Sequence, residues 1–330
     1  MKDTLQYLFD HKTLGKEDAK LILRNMAEGK YNDPEIAAFI SVYLMRSITV
    51  DELSGFRDAL LELCTPVDLS GFNTIDVCGT GGDEKNTFNI STLTSFLVAG
   101  AGEKVAKHGN YSVSSACGSS NVLEYYGYVF TRDSDRLKRE MDRYNICFLH
   151  APLFNPAMKN VAPVRRSLRI KTFFNMLGPM VNPAFPKNQL VGVFSLDLAR
   201  LYNYLYQESD TSYCIIHSLD GYDEISLTGG FKAMTRQTER TFSPEDLGLQ
   251  RVFAEDIYGG SSVEEAASVF LKILEGKGSR AQNDVVIANA AFALFSMDES
   301  KGLEHCVERA RRSLESGKAL KTFKNLLESN

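Results

Sequence analysis

Up to Cys64 the apolar residues recur every three to four positions, the period of a helix with one buried face. Lys16–Ala27 follows this pattern and ends near Gly29. Asp33-Pro34 reads as an N-cap with proline at the first helical position, opening Glu35–Met45. Thr49 caps a third helix, Val50–Cys64, with Glu52 completing a capping box. Nothing in this stretch resembles a strand.

From Phe72 the period changes. Short apolar runs at Ile75–Val77, Lys104–Ala106, Val129–Phe130, Ile146–Leu149, Val191–Val193 and Tyr213–His217 alternate with helix-like stretches. Such alternation predicts strands and crossover helices around a largely parallel sheet. Near the C-terminus, Asn283–Phe295 is almost wholly apolar and small. It is expected in the core or in a subunit contact. The fold class is therefore α/β: a small helical domain plus a larger α/β domain whose mostly parallel central sheet is flanked by helices. The expected boundaries are 1–68 for the helical domain, joined by helices from about 155–185, and 69–330 for the α/β domain. A chain of 330 residues is long enough for two cores.

The net charge of -5 argues against nucleic acid or an anionic membrane as main partner. The N-terminus, Met1-Lys-Asp-Thr-Leu-Gln-Tyr7, is amphipathic with an early acid and does not read as a signal peptide. No apolar run is long enough to span a bilayer. The six cysteines are scattered without a Cys-x-x-Cys pair, which fits buried thiols in a reducing cytoplasm.

The chemistry concentrates in loops after the strand-like runs. Asp76–Thr92 holds Gly79, Gly81, Gly82, Asp83, Thr87, Asn89, Ser91 and Thr92 between a strand and a helix-like run, Leu93–Ala101. Glycine lets backbone amides approach a ligand closely, and consecutive amides make anion-binding concavities. Asn89 or Ser91 would cap the helix, whose N-terminus adds further attraction for an anion. The spacing is neither Gly-x-x-x-x-Gly-Lys-Ser/Thr nor Gly-x-Gly-x-x-Gly, since position 84 is Glu84. Lys107-His-Gly-Asn-Tyr-Ser-Val-Ser-Ser115 follows the next strand and Gly118-Ser119 extends it. Two such loops at strand C-terminal ends suit a multiply phosphorylated ligand. Asp223-Glu224 is either a solvated acidic turn or a Mg²⁺ site of the kind completed by water and phosphate. Arg165-Arg166 follows Pro163 and can fork onto a carboxylate or phosphate, or stand as a surface pair. Asn175–Pro183, with Gly178-Pro179 and Asn182-Pro183, reads as a structural turn near the hinge.

Taken together these segments resemble the anthranilate phosphoribosyltransferase family. The motifs are Gly79–Asp83, Asn89–Thr92, Lys107–Asn110, Ser112–Ser115, Pro156–Lys159, Val164–Arg166, Leu177–Pro179 with Asn182-Pro183, and Asp223-Glu224, in order along the whole chain. The resemblance implies transfer of a phosphoribosyl group from phosphoribosyl pyrophosphate to the amine of anthranilate, in tryptophan synthesis. It implies a homodimer paired through the helical domains. It implies phosphoribosyl pyrophosphate against Gly79, Gly82, Asp83, Thr87, Asn89, Ile90, Ser91, Thr92, Lys107, His108, Gly109, Asn110, Tyr111, Ser112, Val113, Ser114, Ser115 and Ser119. It implies anthranilate near Gly79, Asn110 and Arg165, and Mg²⁺ near Ser91, Asp223 and Glu224. Catalysis is expected from electrostatics and positioning, with Lys107, Asp223 and Glu224 as the charged contributors, rather than from a general base.

The chain departs from the family pattern at three places. Asn155 stands where His commonly precedes Pro-Ala-Met, Arg169 where Gly is usual, and Asn121 where an acid is usual. Asn155 lies nearest the expected anthranilate channel. Pyrimidine nucleoside phosphorylases share the architecture but carry Lys-His-Ser in the second loop, against Lys107-His108-Gly109-Asn110 here. A non-catalytic nucleic-acid-binding relative would have a basic surface and eroded metal ligands, whereas this chain is acidic and keeps Ser91, Asp223 and Glu224.

Overall fold

Residues 1–112 and 116–329 are described by a computed structural model of the chain. Four helices open it: α1 (Lys2–Phe9), α2 (Lys16–Ala27), α3 (Asp33–Met45) and α4 (Val50–Leu63). At α4 the capping box forms as expected: Thr49 Oγ1 accepts the Glu52 amide at 3.2 Å and Glu52 Oε2 accepts the Thr49 amide at 3.0 Å. At α3 the cap is Asn32, one residue earlier than expected. Asn32 Oδ1 accepts the Glu35 amide and Glu35 Oε2 accepts the Asn32 amide, both at 3.0 Å. The reason is spacing, because only a residue three before Glu35 completes the reciprocal box. Glu52 is also fully buried and takes the Leu14 amide and the Arg46 guanidinium, so one carboxylate ties α4 to the segments before α2 and after α3.

The remainder runs β1 (Thr74–Val77), α5 (Ile90–Gly100), β2 (Lys104–Gly109), α6 (Ser119–Tyr125), α7 (Ser134–Tyr144), β3 (Ile146–His150), α8 (Ala151–Phe154), α9 (Ala162–Leu168), β4 (Asn188–Gly192), α10 (Leu196–Gln207), β5 (Ser212–Ser218), β6 (Phe231–Met234) and β7 (Glu239–Phe242). Four helices follow: α11 (Val263–Leu274), α12 (Arg280–Met297), α13 (Leu303–Glu315) and α14 (Lys318–Leu327). The strands form one sheet in the order β3-β2-β1-β4-β5-β6-β7. The first five are parallel, and β6 and β7 add an antiparallel edge.

Alternation along the strands divides the core. Leu190, Cys214 and Ile216 face the layer that holds α5 and α12, while Val191, Tyr213 and Ile215 face α10 and the N-terminal helices. That second layer also takes in Val161, Val164, Phe173, Phe174 and Leu177, so the 157–181 segment packs with the first four helices although it is far along the chain. Beyond its first turn α12 is buried on all sides from Asp284 to Leu294, in keeping with its composition.

Val129–Phe130 is not a strand. Gly127 at φ +86° turns the chain after α6, and Asp133 then caps α7 by accepting the Asp135 and Arg136 amides. The pair is spent on joining two helices. The β6–β7 hairpin was not anticipated.

Candidate active site

Strand order reverses direction between β1 and β4, so the loops after β1 and β2 and the acids after β5 converge at the carboxyl edge of the sheet, the general ligand position in such folds. A cleft of about 820 Å³ opens there. Its other wall is the 151–181 segment.

The loop after β1 is held by main-chain bonds before any ligand is considered. The Cys78 and Thr80 amides donate to the Leu190 and Gly192 carbonyls at 3.1 and 2.9 Å, carrying β1 onward along β4. Gly81 and Gly82 turn the chain at φ +65° and +76°, a region glycine enters freely. Asn86 Nδ2 donates to the Gly260 carbonyl at 2.7 Å and the Gly259 amide to the Asn86 carbonyl at 2.8 Å, anchoring the far side of the loop to the segment before α11.

The two acids after β5 reach into this loop. Asp223 Oδ2 accepts the Gly81 amide at 2.6 Å. Glu224 Oε1 accepts the Ser91 amide at 3.0 Å, at the N-terminus of α5, and Thr87 Oγ1 donates to Glu224 Oε2 at 3.4 Å. Burial, reinforced by the neighbouring Asp83 charge, pushes the Asp223 carboxyl up, and burial together with Asp223 and Asp83 raises Glu224. Gly192 has to be glycine, because a Cβ there would overlap the Asp223 carbonyl oxygen. A Cβ at Gly79 would press on the Asp223 carboxylate.

Sequence reasoning missed what aims these acids. Asn289, in the middle of α12, accepts the Ile225 amide at 3.0 Å and donates to the Ile225 carbonyl at 2.9 Å. The signal was an isolated amide side chain in an otherwise apolar helix, since a buried amide requires partners.

The loop after β2 is built over Asp76. This fully buried carboxylate accepts the His108 amide at 3.1 Å and Asn182 Nδ2 at 2.9 Å. Burial raises its carboxyl, opposed chiefly by the Lys107 charge. Lys107 is only 2% exposed and its Nζ donates to the His108 carbonyl at 3.1 Å. Its charge therefore offsets the Asp76 and Glu224 carboxylates as well as facing the cleft. His108 Nδ1 lies 3.0 Å from the Gly178 carbonyl, its Nε2 has no partner among the described residues, and burial pushes the imidazole down to about 4. Asn110 is exposed, and its amide donates to Ser119 Oγ at 3.3 Å. The Ser112 amide donates to Asn121 Oδ1 at 3.2 Å, so the departure from an acid at that place leaves an acceptor in position.

Of the site residues expected from sequence, Gly79, Gly82, Asp83, Thr87, Asn89, Ser91, Thr92, Lys107–Ser112, Ser119, Arg165, Asp223 and Glu224 all line this one cleft. Ile90 does not: as the first residue of α5 it turns its side chain into the core, 1% exposed, so a ligand contact there would go through the main chain. Val113, Ser114 and Ser115 lie outside the described residues. The Gly178–Asn182 turn is structural, as expected, but Leu177, Gly178 and Val181 also form cleft wall.

At the helical wall, Arg165 is half-buried with its guanidinium 5.1 Å from the Phe174 ring centroid. Among the described residues it has no ion pair, and burial lowers its guanidinium from the ordinary value. Arg166, by contrast, is exposed and does not line the cleft. Asn155 is 8% exposed; its Nδ2 donates to the Ala151 carbonyl at 3.3 Å and its Oδ1 has no partner among the described residues. The geometry thus combines an amide-rich, acid-bearing end with an apolar end into which the Arg165 guanidinium points. Among the described residues, no three His, Cys, Asp or Glu side chains are grouped to hold a metal by themselves. Asp223 and Glu224 fit instead a hard cation whose shell is completed by water and phosphate.

Residues 71–320 match the Glycosyl transferase family, a/b domain, and residues 2–64 its helical bundle domain. The chain is 60% identical to the anthranilate phosphoribosyltransferase of Christiangramia forsetii, over 99% of this chain and 98% of that protein. It is similar in structure to the anthranilate phosphoribosyltransferase of Thermus thermophilus, with a TM-score of 0.89, 29% identity and 99% of each chain covered. It shares its fold with the Saccharomyces cerevisiae enzyme in complex with PRPP and Mg: TM-score 0.86, 24% identity, 95% of this chain and 92% of that chain.

Proposed function

The chain belongs to the anthranilate phosphoribosyltransferase family, and we propose that the cleft at the sheet edge is where it carries out that family's transfer. The enzyme moves the phosphoribosyl group from phosphoribosyl pyrophosphate to the amine of anthranilate, releasing pyrophosphate, in tryptophan biosynthesis. The observation that carries the placement is one cleft joining anion-binding loops and paired acids at one end to an unpaired guanidinium at the other.

The amine of anthranilate is neutral near pH 7 and can attack the ribose C1 directly. The demanding event is departure of a highly charged leaving group while the ribose gains positive character. Amides of the Gly79–Asp83 turn, the α5 N-terminus and the loops around Lys107 and Ser119 orient the phosphates. Asp223 and Glu224, with Ser91 Oγ, would hold Mg²⁺, which supplies countercharge to pyrophosphate. The carboxylate pair suits that role because burial and mutual repulsion leave it in want of a cation. Arg165 takes the anthranilate carboxylate, and Asn110 and Gly79 border the place where amine and C1 meet. The Phe174 and Leu177 wall excludes water from the aromatic ring.

The division at 68/69, with 155–185 returning to the helical body, follows the shared packing of Val161–Leu177 with α2–α4. A homodimer through the helical bodies accords with apolar side chains left outside on α1–α3: Phe9 is 61% and Met45 90% exposed. Cytoplasmic placement accords with six free cysteines. Among the described residues no helix is long and apolar enough to cross a membrane.

The deciding experiment is loss of anthranilate fluorescence on adding phosphoribosyl pyrophosphate, with and without Mg²⁺. Mg²⁺-dependent loss is expected. A folded protein that leaves the fluorescence unchanged refutes the placement.

A further inference from the structure

Five cations line the cleft: Lys85, Lys107, Lys159, Arg165 and Lys171. Lys107 is buried and bound to a carbonyl, and Arg165 stands at the apolar end. Lys85 Nζ lies 4.8 Å from the Tyr222 ring centroid. Lys171, whose Nζ also lies 5.8 Å from the Phe194 ring centroid, differs from these in its reach. It comes from the helical wall, yet its stem crosses to the glycine loop: a Cβ on Gly82 would lie 3.6 Å from Lys171 Cε and 3.7 Å from Cδ. Its Nζ is 2.8 Å from Glu84 Oε1, on that same loop.

One partner of this ion pair is itself on unusual backbone and the other follows a residue that is. Glu84 has φ +61°, and Arg169, two residues before Lys171, has φ +53°. Side-chain-bearing residues enter this region uncommonly and at some cost, so the surrounding structure fixes both turns. The pair itself is weak. Its side chains are 43% and 77% exposed, and exposed pairs contribute little because water screens them. An ammonium so placed is readily surrendered to a ligand carrying several negative charges within a few ångströms of Gly82.

We propose that Lys171 is a further binding residue for the pyrophosphate group, held over the glycine loop by Glu84 and exchanged onto the phosphates when they arrive. This deepens the reading of the cleft as a phosphoribosyl pyrophosphate site and rests on it. Glu84 is then a competitor for the cation rather than a substrate contact. That distinguishes exchange from a merely structural strap, in which the two residues would matter equally.

The test uses the full chain with Mg²⁺, steady-state kinetics in both substrates, and calorimetric binding of inorganic pyrophosphate. Lys171→Met is expected to raise KM for phosphoribosyl pyrophosphate and Kd for pyrophosphate about tenfold, as for loss of one charge-assisted hydrogen bond. KM for anthranilate should stay within about twofold, and Lys171→Arg should restore most of the loss. Glu84→Gln should act in the opposite direction, lowering both constants about twofold. Losses of the same sign in Lys171→Met and Glu84→Gln overturn the exchange, and so does an unchanged pyrophosphate Kd in Lys171→Met. Failure of the unsubstituted protein to bind phosphoribosyl pyrophosphate would instead overturn the assignment of the cleft itself.

Discussion

At the sheet end of the cleft the Gly81 and Ser91 amides already donate to Asp223 and Glu224, whereas at the helical end the Arg165 guanidinium donates to nothing among the described residues. The first end is a set of donors occupied by the protein's own carboxylates and held by strands on both sides. The second is a largely apolar wall of 3₁₀ turns and short helices on which the half-buried Arg165 stands. The difference separates two ways of recognising an anion. On the proposed reading, phosphates would meet a field of amides and a cation site, where charge decides. A monocarboxylate on an aromatic ring would meet shape, with the Arg165 guanidinium setting its direction.

The largest effect should come from the occupied end. Asp223→Asn leaves the Gly81 contact possible but removes a charge, and kcat should fall about 10²–10³-fold with a weakened Mg²⁺ requirement. An unchanged metal titration would remove Asp223 from the site. Arg165→Ala should raise KM for anthranilate about 10–100-fold while KM for phosphoribosyl pyrophosphate stays within about twofold. Equal losses for both substrates would erase the distinction between the ends.

His108 sits where the ends meet, its amide on Asp76 and its ring on the Gly178 carbonyl. Its folded value, down to about 4, lies below that of the unfolded chain. As pH falls from about 6.5 towards 4 the unfolded chain takes up a proton that buried His108 refuses, so stability is lost across that window. Urea melts of the wild type and His108→Gln should therefore shift relative to each other by about 2 kcal/mol in favour of the variant between pH 7 and 4. A pH-independent gap would show that the ring is not held neutral. The smallest effect belongs to Asn155→His, which narrows the apolar end. Ring-substituted anthranilates should lose less than about tenfold in kcat/KM relative to anthranilate, with phosphoribosyl pyrophosphate unaffected. Uniform loss across acceptors would place Asn155 outside the channel.

The occupied end was also the more legible in sequence. Turn glycines, a strand before and a helix after are local signals, and Gly79–Asp83 and Lys107–Asn110 each announced a loop with its own chemistry, whereas Asp223-Glu224 read equally as a solvated acidic turn until the family resemblance was added. Even there, the reach of Glu224 to the Ser91 amide spans 133 residues, and Asn289 acts on Ile225 from a helix 64 residues away. No periodicity encodes such distances. At the apolar end spacing alone did not separate Arg165 from Arg166; the resemblance singled out Arg165. One turned inward and the other outward because α9 packs its Val164 face against α3, a tertiary fact. The Lys171–Glu84 contact likewise joins two loops whose neighbourhood exists only once the sheet and the helical body have met.

Glu224 at the start of α5 has a consequence for how quickly the enzyme can work. By accepting the Ser91 amide and the Thr87 hydroxyl, its carboxylate ties the glycine loop to the segment after β5 through the protein's own bonds. The conformational entropy of that loop is thus surrendered during folding, and little remains to be lost at encounter. Association of the phosphorylated substrate should accordingly proceed without a slow ordering step, and stopped-flow binding should show one phase whose rate rises linearly with concentration.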